Sequence, residues 1–181
     1  NVYNSWAALY AAMSVVFGPK IVYIDSTIMN PAEIPAGTYD MTNVTIAGMD
    51  PALTLSSIQV LDNAILNNLR YIKDLFIYAN NTISPCFPVA IQTDIFLDHV
   101  TISALGGTAF DVIPGAQFYL SNGCQLNGGP GTPIINIQSG QTIALYLKDA
   151  STINSDAIAG DGTATINNNI LDETGNYVAQ N

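Results

Sequence analysis

Nine residues, Phe110 to Phe118 (F-D-V-I-P-G-A-Q-F), follow the pattern apolar-x-apolar-x-x-Gly-x-x-apolar, and Ile135 to Ile143 (I-N-I-Q-S-G-Q-T-I) repeat it at the same spacing. Alternation at period 2 marks a strand with one buried side, and a glycine just past it marks a corner where positive φ is tolerated. A unit that runs strand, corner, strand and then recurs is one coil of a solenoid.

The same spacing recurs along the chain when a corner residue is preceded by apolar residues five and three positions earlier. Gly37 follows Ala32 and Ile34, Asn63 follows Ile58 and Val60, and Asp94 follows Val89 and Ile91. Gly115 follows Phe110 and Val112, Gly140 follows Ile135 and Ile137, and Gly162 follows Ala157 and Ala159. Gly, Asn and Asp are the residue types that best accept the left-handed region. Three residues past the corner, Leu66, Leu97, Phe118 and Ile143 are apolar, while Asp40 and Thr165 are not. The corners lie 21 to 31 residues apart. A less regular second strand is expected at Val44/Ile46, Leu75/Ile77, Val100/Ile102, Cys124/Leu126 and Ser151/Ile153, each introduced by Asn43, Asp74, Asp98, Asn122 or Asp149.

Coils of this length predict an all-β chain, a single-stranded right-handed parallel β-helix of about six coils. With strands about 4.8 Å apart it forms a rod of roughly 30 Å. The Leu-x-x-Leu-x-Leu consensus of leucine-rich repeats is missing, and so are the hairpin dipeptides and 8–12-residue turn spacing of a sandwich. At 181 residues the chain is one domain, divided into an N-terminal capping helix (1–19), the β-helix (20–172) and a tail (173–181). Ser5 is a helix N-cap, Trp6, Leu9, Tyr10, Met13, Val16 and Phe17 form an apolar stripe, and Gly18-Pro19 ends the helix. Such a helix is a natural lid for the open first coil.

Hydrophobic residues make up 49% and charged residues 10%, and mean hydropathy is +0.29. Buried parallel coils explain part of this, and outer faces covered by sister chains or a partner explain the rest. The net charge is −10, with Lys20, Arg70, Lys73 and Lys148 the strong bases. A surface of that sign repels nucleic acid and anionic membranes. No apolar run approaches the length of a membrane span. Cys86 and Cys124 form no metal motif and are expected as buried free thiols.

Along the chain, Ile21–Asp25 is a strand, and Pro31, Pro35 and Gly37 shape the following corners. Between Asp50 and Leu69 the pattern is least regular, with Ala64–Arg70 either a helical turn or a strand. Asn80-Asn81 with Ser84–Pro88, residues 106–107 and residues 127–133 are loops, where recognition commonly sits. The segments W-A-A-L-Y-A-A-M (6–13), G-P-K-I-V-Y-I-D (18–25), I-P-A-G-T-Y-D (34–40) and N-V-T-I-A-G (43–48) together resemble the entry to pectin-lyase-like β-helical domains of bacteriophage virion proteins, including tailspikes, head fibres and capsid decoration proteins. The resemblance covers about the first quarter of the chain, and the coil pattern extends it to about residue 170. It implies a structural role, a homotrimer, and a place on the outer capsid surface or tail in contact with phage coat or tail proteins.

A β-helical polysaccharide hydrolase needs two or three carboxylates on one face, and a lyase needs a base, often with Ca²⁺. Asp94, Asp98 and His99 are the nearest approach to such a set. Adjacent residues of a strand point to opposite faces, which separates Asp98 from His99. Asp156 and Asp161 are expected to flank one corner without a calcium-loop motif, Arg70, Lys73 and Asp74 share one turn, and Asp172-Glu173 is a solvated pair. The Arg/Lys and Asp clusters of pectin-degrading enzymes are absent. No catalytic, cofactor-binding or metal-binding residue is therefore assigned. The expected function is a non-enzymatic, homotrimeric phage capsid cement or decoration protein. The rivals are a tailspike or receptor-binding fragment that binds or cleaves host glycan, with Tyr71, Tyr78, Tyr119 and Tyr146 available to line a groove, and an adhesin module.

Overall fold

The structure, a computed structural model, describes residues 2–25, 31–49, 56–90, 92–168, 170–171 and 177–178. A short helix, α1 (Trp6–Ser14), precedes a parallel β-solenoid of about six turns. The first coil holds β1 (Lys20–Ile24), β2 (Ala32–Ile34) and β3 (Gly37–Asp40), and the second holds β4 (Val44–Gly48), β5 (Ser57–Val60) and β6 (Ala64–Asn67). In the third, β7 (Tyr71–Ala79) spans two faces before β8 (Phe87–Val89), and in the fourth β9 (Thr93–Ala104) does the same before β10 (Phe110–Val112). The fifth holds β11 (Ala116–Ser121), β12 (Gln125–Asn127) and β13 (Ile135–Ile137), and the sixth β14 (Thr142–Leu147), β15 (Thr152–Ile153) and β16 (Ile158–Gly160). A further strand, β17 (Thr163–Asn168), lies on the last coil, followed by a short antiparallel pair, β18 (Ile170–Leu171) and β19 (Tyr177–Val178).

Three faces result. The first stacks β1, β4, the start of β7, the start of β9, β11, β14 and β17. The second stacks β2, β5, the ends of β7 and β9, β12 and β15. The third pairs β3 with β6 and runs β8, β10, β13, β16, the two parts joined where Leu66 N–H donates to the Cys86 carbonyl at 2.9 Å. The core is a set of inward columns. One is Val22, Ile46, Ile72, Leu97, Leu120 and Leu147, with neighbours 23 to 27 residues apart. Another is Ala32, Ile58, Ile77, Ile102, Leu126 and Ile153. Phe87, Phe110 and Phe118 fill the wider part, with ring centroids 5.1 and 5.3 Å apart.

The expected repeat is present, but its phase changes partway. Gly37 and Asn63 stand at the corner between the second and third faces, whereas Gly115, Gly140 and Gly162 stand between the third and the first; Asp94 is not at a corner but inside β9, in register with Gln117. The 31-residue step therefore runs from the corner at Asn63, past the next corner, to a strand residue of the first face. Val44/Ile46 likewise belong to the first face, while Leu75/Ile77, Val100/Ile102, Cys124/Leu126 and Ile153 belong to the second. Of the six expected corner residues, Gly37, Asn63 and Gly140 have positive φ, and Asp94, Gly115 and Gly162 do not. Ile91 lies outside the described residues.

The sharper corner is the one between the first and second faces. It is turned by a vertical stack of left-handed residues, Asp74 (φ 52°), His99 (55°), Asn122 (55°) and Asp149 (52°). Asn43 also has positive φ, before β4, but in the fourth coil the corner residue is His99 rather than Asp98. Ala64–Asn67 is a strand, which settles the helical alternative there.

The I-P-A-G-T-Y-D segment has a local cause. The Tyr39 hydroxyl folds back and donates to the Pro35 carbonyl at 2.9 Å, and a Cβ on Gly37 would lie 2.8 Å from the Tyr39 hydroxyl oxygen. The helix is capped as expected, with Ser5 Oγ accepting from Ala8 N–H at 3.3 Å. It ends at Ser14, short of the expected stripe, so Val16 (53% exposed) and Phe17 (99%) lie outside it. Trp6 and Tyr10 meet Tyr39 edge-on at 5.7 and 4.9 Å, and Tyr10 Oη accepts from Asp40 N–H at 2.9 Å. The helix thus docks on the third-face side of the first coil. A cleft of about 640 Å³ remains between it and β1, lined by Trp6, Met13, Val16, Ile21, Tyr23 and Met49 among others.

Candidate functional site

Outward side chains of the first face form three columns. Nearest the third face is Asp94, Gln117, Ala144 and Thr165. The central column is Ile21, Thr45, Tyr71, Phe96, Tyr119, Tyr146 and Asn167. Nearest the second face is Tyr23, Ala47, Lys73, Asp98 and Ser121.

In the central column four rings form a continuous stack. Tyr71 and Phe96 lie 4.9 Å apart at 3°, Phe96 and Tyr119 5.0 Å at 11°, and Tyr119 and Tyr146 4.9 Å at 9°. Strand spacing imposes this distance, since parallel in-register strands repeat about every 4.8 Å. Because the rings cover one another face to face, the inner two present only their edges to solvent. Burial by its neighbours, the Asp94 carboxylate and Tyr146 all push the Tyr119 phenol up, and its hydroxyl donates to Gln117 Oε1 at 2.9 Å. Three of the four tyrosines considered for a groove thus belong to one ladder. Tyr78 does not; it lies on the second face against Phe76 at 4.6 Å.

The corner beside this ladder carries the polar residues singled out by sequence. Asp98 accepts from Ser121 Oγ at 3.1 Å and from Asn122 Nδ2. His99 Nδ1 lies 3.0 Å from Asp74 Oδ1, and Lys73 Nζ lies 3.6 Å from Asp74 Oδ2. Strand alternation does not separate Asp98 from His99, because the chain leaves extended geometry at His99; both are partly exposed. The partner of His99 is Asp74 of the preceding coil, which residue order alone did not suggest. Asp94 is two columns away from Asp98, with Phe96 between them. Asp156 and Asp161 lie beyond opposite ends of β16 rather than around one corner. Asp172 and Glu173 lie outside the described residues. Among the described residues no three His, Cys, Asp or Glu side chains group as a metal site.

The cysteines are both free and buried. Burial pushes the Cys86 thiol up to about 12. Cys124 is also raised by burial; its sulfur accepts from Val100 N–H at 3.3 Å and lies 3.2 and 3.1 Å from the carbonyls of Leu97 and Ser121. Neither is a reactive thiolate.

A hollow of about 310 Å³ opens on the other flank, between the central column and the column nearest the third face. Arg70, Tyr71, Thr93, Asp94 and Gln117 line it. Its origin is local. Asn68 has φ 64°, and after it Leu69 turns inward while Arg70 and Tyr71 both face out. The outward column that begins at Asp94 therefore has no side chain above it in the third coil.

Comparison with protein-family models, with curated proteins and with solved structures finds no match to this chain.

Proposed function

We propose that this chain is a non-enzymatic structural β-solenoid of a phage virion, a homotrimeric cement or decoration protein that holds neighbouring coat or tail subunits. The observation that carries this reading is the ladder Tyr71–Phe96–Tyr119–Tyr146 and its setting. Its ring edges form an apolar stripe about 15 Å long, using about 5 Å per rung. Lys20, Arg70, Lys73 and Lys148 all lie on that same face or at its ends, in a chain of net charge −10. On this face like-charge repulsion between copies is weakest and apolar edge is available, so it suits a second copy better than the other two faces do. The opening segments, with their capping helix and Ile-Pro-x-Gly-x-Tyr corner, supply the link to virion β-helices. The adhesin-module reading has no specific observation in its favour. A receptor-binding fragment is the second reading, favoured by the polar hollow beside Tyr71.

Light scattering near physiological salt tests the assembly. The expected mass is three times that of the chain, and Tyr119→Ser with Tyr146→Ser is expected to lower it towards one chain mass with the far-UV spectrum unchanged. A wild-type monomer at every accessible concentration would remove the trimer and favour a module of a longer fibre.

A further inference from the structure

We propose that the cleft between α1 and β1 takes up an extended peptide segment of another protein, neutral or basic and apolar at alternate positions, as one more strand on β1. The proposal does not depend on self-association. The cleft lies at the end of the rod, two coils away from Tyr71, and it uses the backbone edge of β1 rather than the outward side chains of the first face.

The backbone selects an extended occupant. β1 is the end strand of its sheet and pairs with β4 alone. Lys20 N–H donates to the Asn43 carbonyl at 2.8 Å, and the Ile24 carbonyl accepts from Met49 N–H at 3.0 Å. Successive residues of a parallel strand bond to alternate sides, so Lys20, Val22 and Ile24 face β4. The N–H and C=O groups of Ile21 and Tyr23 therefore face the open side, where no described residue bonds them. Only another strand satisfies such a row of donors and acceptors at once. Among the described residues, the Trp6 indole N–H is the buried side-chain group without a hydrogen-bond partner. Trp6 lines the cleft, and a peptide carbonyl beside it supplies the missing acceptor. The remaining lining is largely apolar, with Met13, Val16 and Met49, and the cleft of about 640 Å³ runs along a five-residue strand about 16 Å long. A second copy fits less well. Its flush coil end is blocked because α1 is docked on the same coil through Tyr10 and Tyr39, leaving room beside β1 for a single segment. Asp25 and Glu33 outnumber Lys20 in the cleft, and the net charge is −10, which disfavours an acidic peptide.

The test is titration of the wild-type chain with the heptapeptide amide Lys-Val-Thr-Val-Thr-Val-Lys. Binding is read from fluorescence anisotropy of a fluorescein-labelled peptide, and its place from the emission of Trp6, the chain's one tryptophan, with unlabelled peptide. Saturable binding and a shift in Trp6 emission are expected. The scrambled peptide Lys-Val-Val-Val-Thr-Thr-Lys is expected to bind at least tenfold more weakly. So is one of two N-methylated versions, methylated at the valines or at the threonines, because one of these sets of amides faces β1. Tyr23→Pro removes an edge N–H without touching the β1–β4 ladder, and is expected to weaken binding at least tenfold with the far-UV spectrum unchanged. Met49→Ser, an exposed position on the cleft, is expected to weaken it severalfold, and Tyr146→Leu, at the far end of the ladder, to leave it unchanged. The proposal is overturned if the peptide does not bind, if the scrambled peptide or both methylated versions bind as well, if Trp6 emission does not respond, or if Met49→Ser and a folded Tyr23→Pro bind like wild type. A trimer that binds no peptide overturns this proposal alone; a monomer that binds it overturns the assembly reading alone.

Discussion

Gly115 and Gly140 occupy equivalent corners and are glycine for different reasons. Gly140 has φ +76° with open space around its Cα, so only its backbone conformation resists a side chain. Gly115 has no positive φ, but a Cβ there would sit 2.9 Å from the Thr142 carbonyl of the next coil. Gly140→Asn is therefore expected to cost less stability than Gly140→Val, since Asn accepts the left-handed region and a β-branched residue does not. At Gly115 even Ala is expected to destabilise, on the order of 1–3 kcal/mol for a forced coil separation. Thermal melts of the three variants decide it, and equal melting temperatures for Gly140→Asn and Gly140→Val would contradict the assignment. A second residue-scale case is Asp40. Its carboxylate accepts from Thr42 Oγ1 at 2.7 Å, from Asn68 Nδ2 at 3.0 Å and from Thr42 N–H at 3.1 Å, and these bonds hold it below the usual carboxylate range. A lowered folded pKa means that the contribution is present above the unfolded value near 3.8 and is lost as pH falls through the folded one. Wild type is thus expected to exceed Asp40→Asn in stability near neutral pH, and the gap to close in acid, as read from denaturation midpoints across pH.

At the scale of elements, the loop between β7 and β8 is pinned rather than free. Asn81 is 1% exposed; its Oδ1 accepts from the N–H groups of Asn63, Ile83 and Ser84, and its Nδ2 donates to the Ala64 carbonyl at 2.9 Å. Asp62 accepts from Thr82 N–H and Oγ1 at 2.6 and 2.9 Å. Asn81→Ala removes the acceptor of three partly buried N–H groups and the donor to the buried Ala64 carbonyl, and is expected to cost about 2–4 kcal/mol, with urea denaturation as the check. Period-2 alternation and the Gly and Asx residues made the coil and most strands legible from sequence, because inward columns need apolar residues at fixed steps. The phase was not legible. Two kinds of corner use the same residue types, and only strand pairing tells them apart. The ladder escaped notice for a related reason: its rungs are scattered 23 to 27 residues apart and meet only once the register is known. The hollow depends on the backbone at Asn68, which residue spacing does not encode.

For the whole molecule, the distribution of charge matters more than its total. The four strong bases are confined to the first face and its ends, where they offset carboxylates such as Asp94 and Asp98, while the second and third faces carry carboxylates such as Glu33 and Asp111 and no strong base. Copies that approach one another still repel through the net charge of −10, and salt screens that repulsion while leaving apolar contact intact. Self-association is therefore expected to strengthen from low to moderate salt, as read from the mass in sedimentation equilibrium; weakening would place ion pairs, rather than ring edges, at the centre of the contact. The ladder has a further consequence for how such a chain can change length. Each rung belongs to one coil, and every rung sits one strand spacing from the next. Duplicating or deleting a complete turn would extend or shorten the stack with its order preserved, whereas a gain or loss of one residue inside a strand would turn the column inside out. Evolution and protein engineers alike are left with two permitted edits: whole turns, or inserts at the corners.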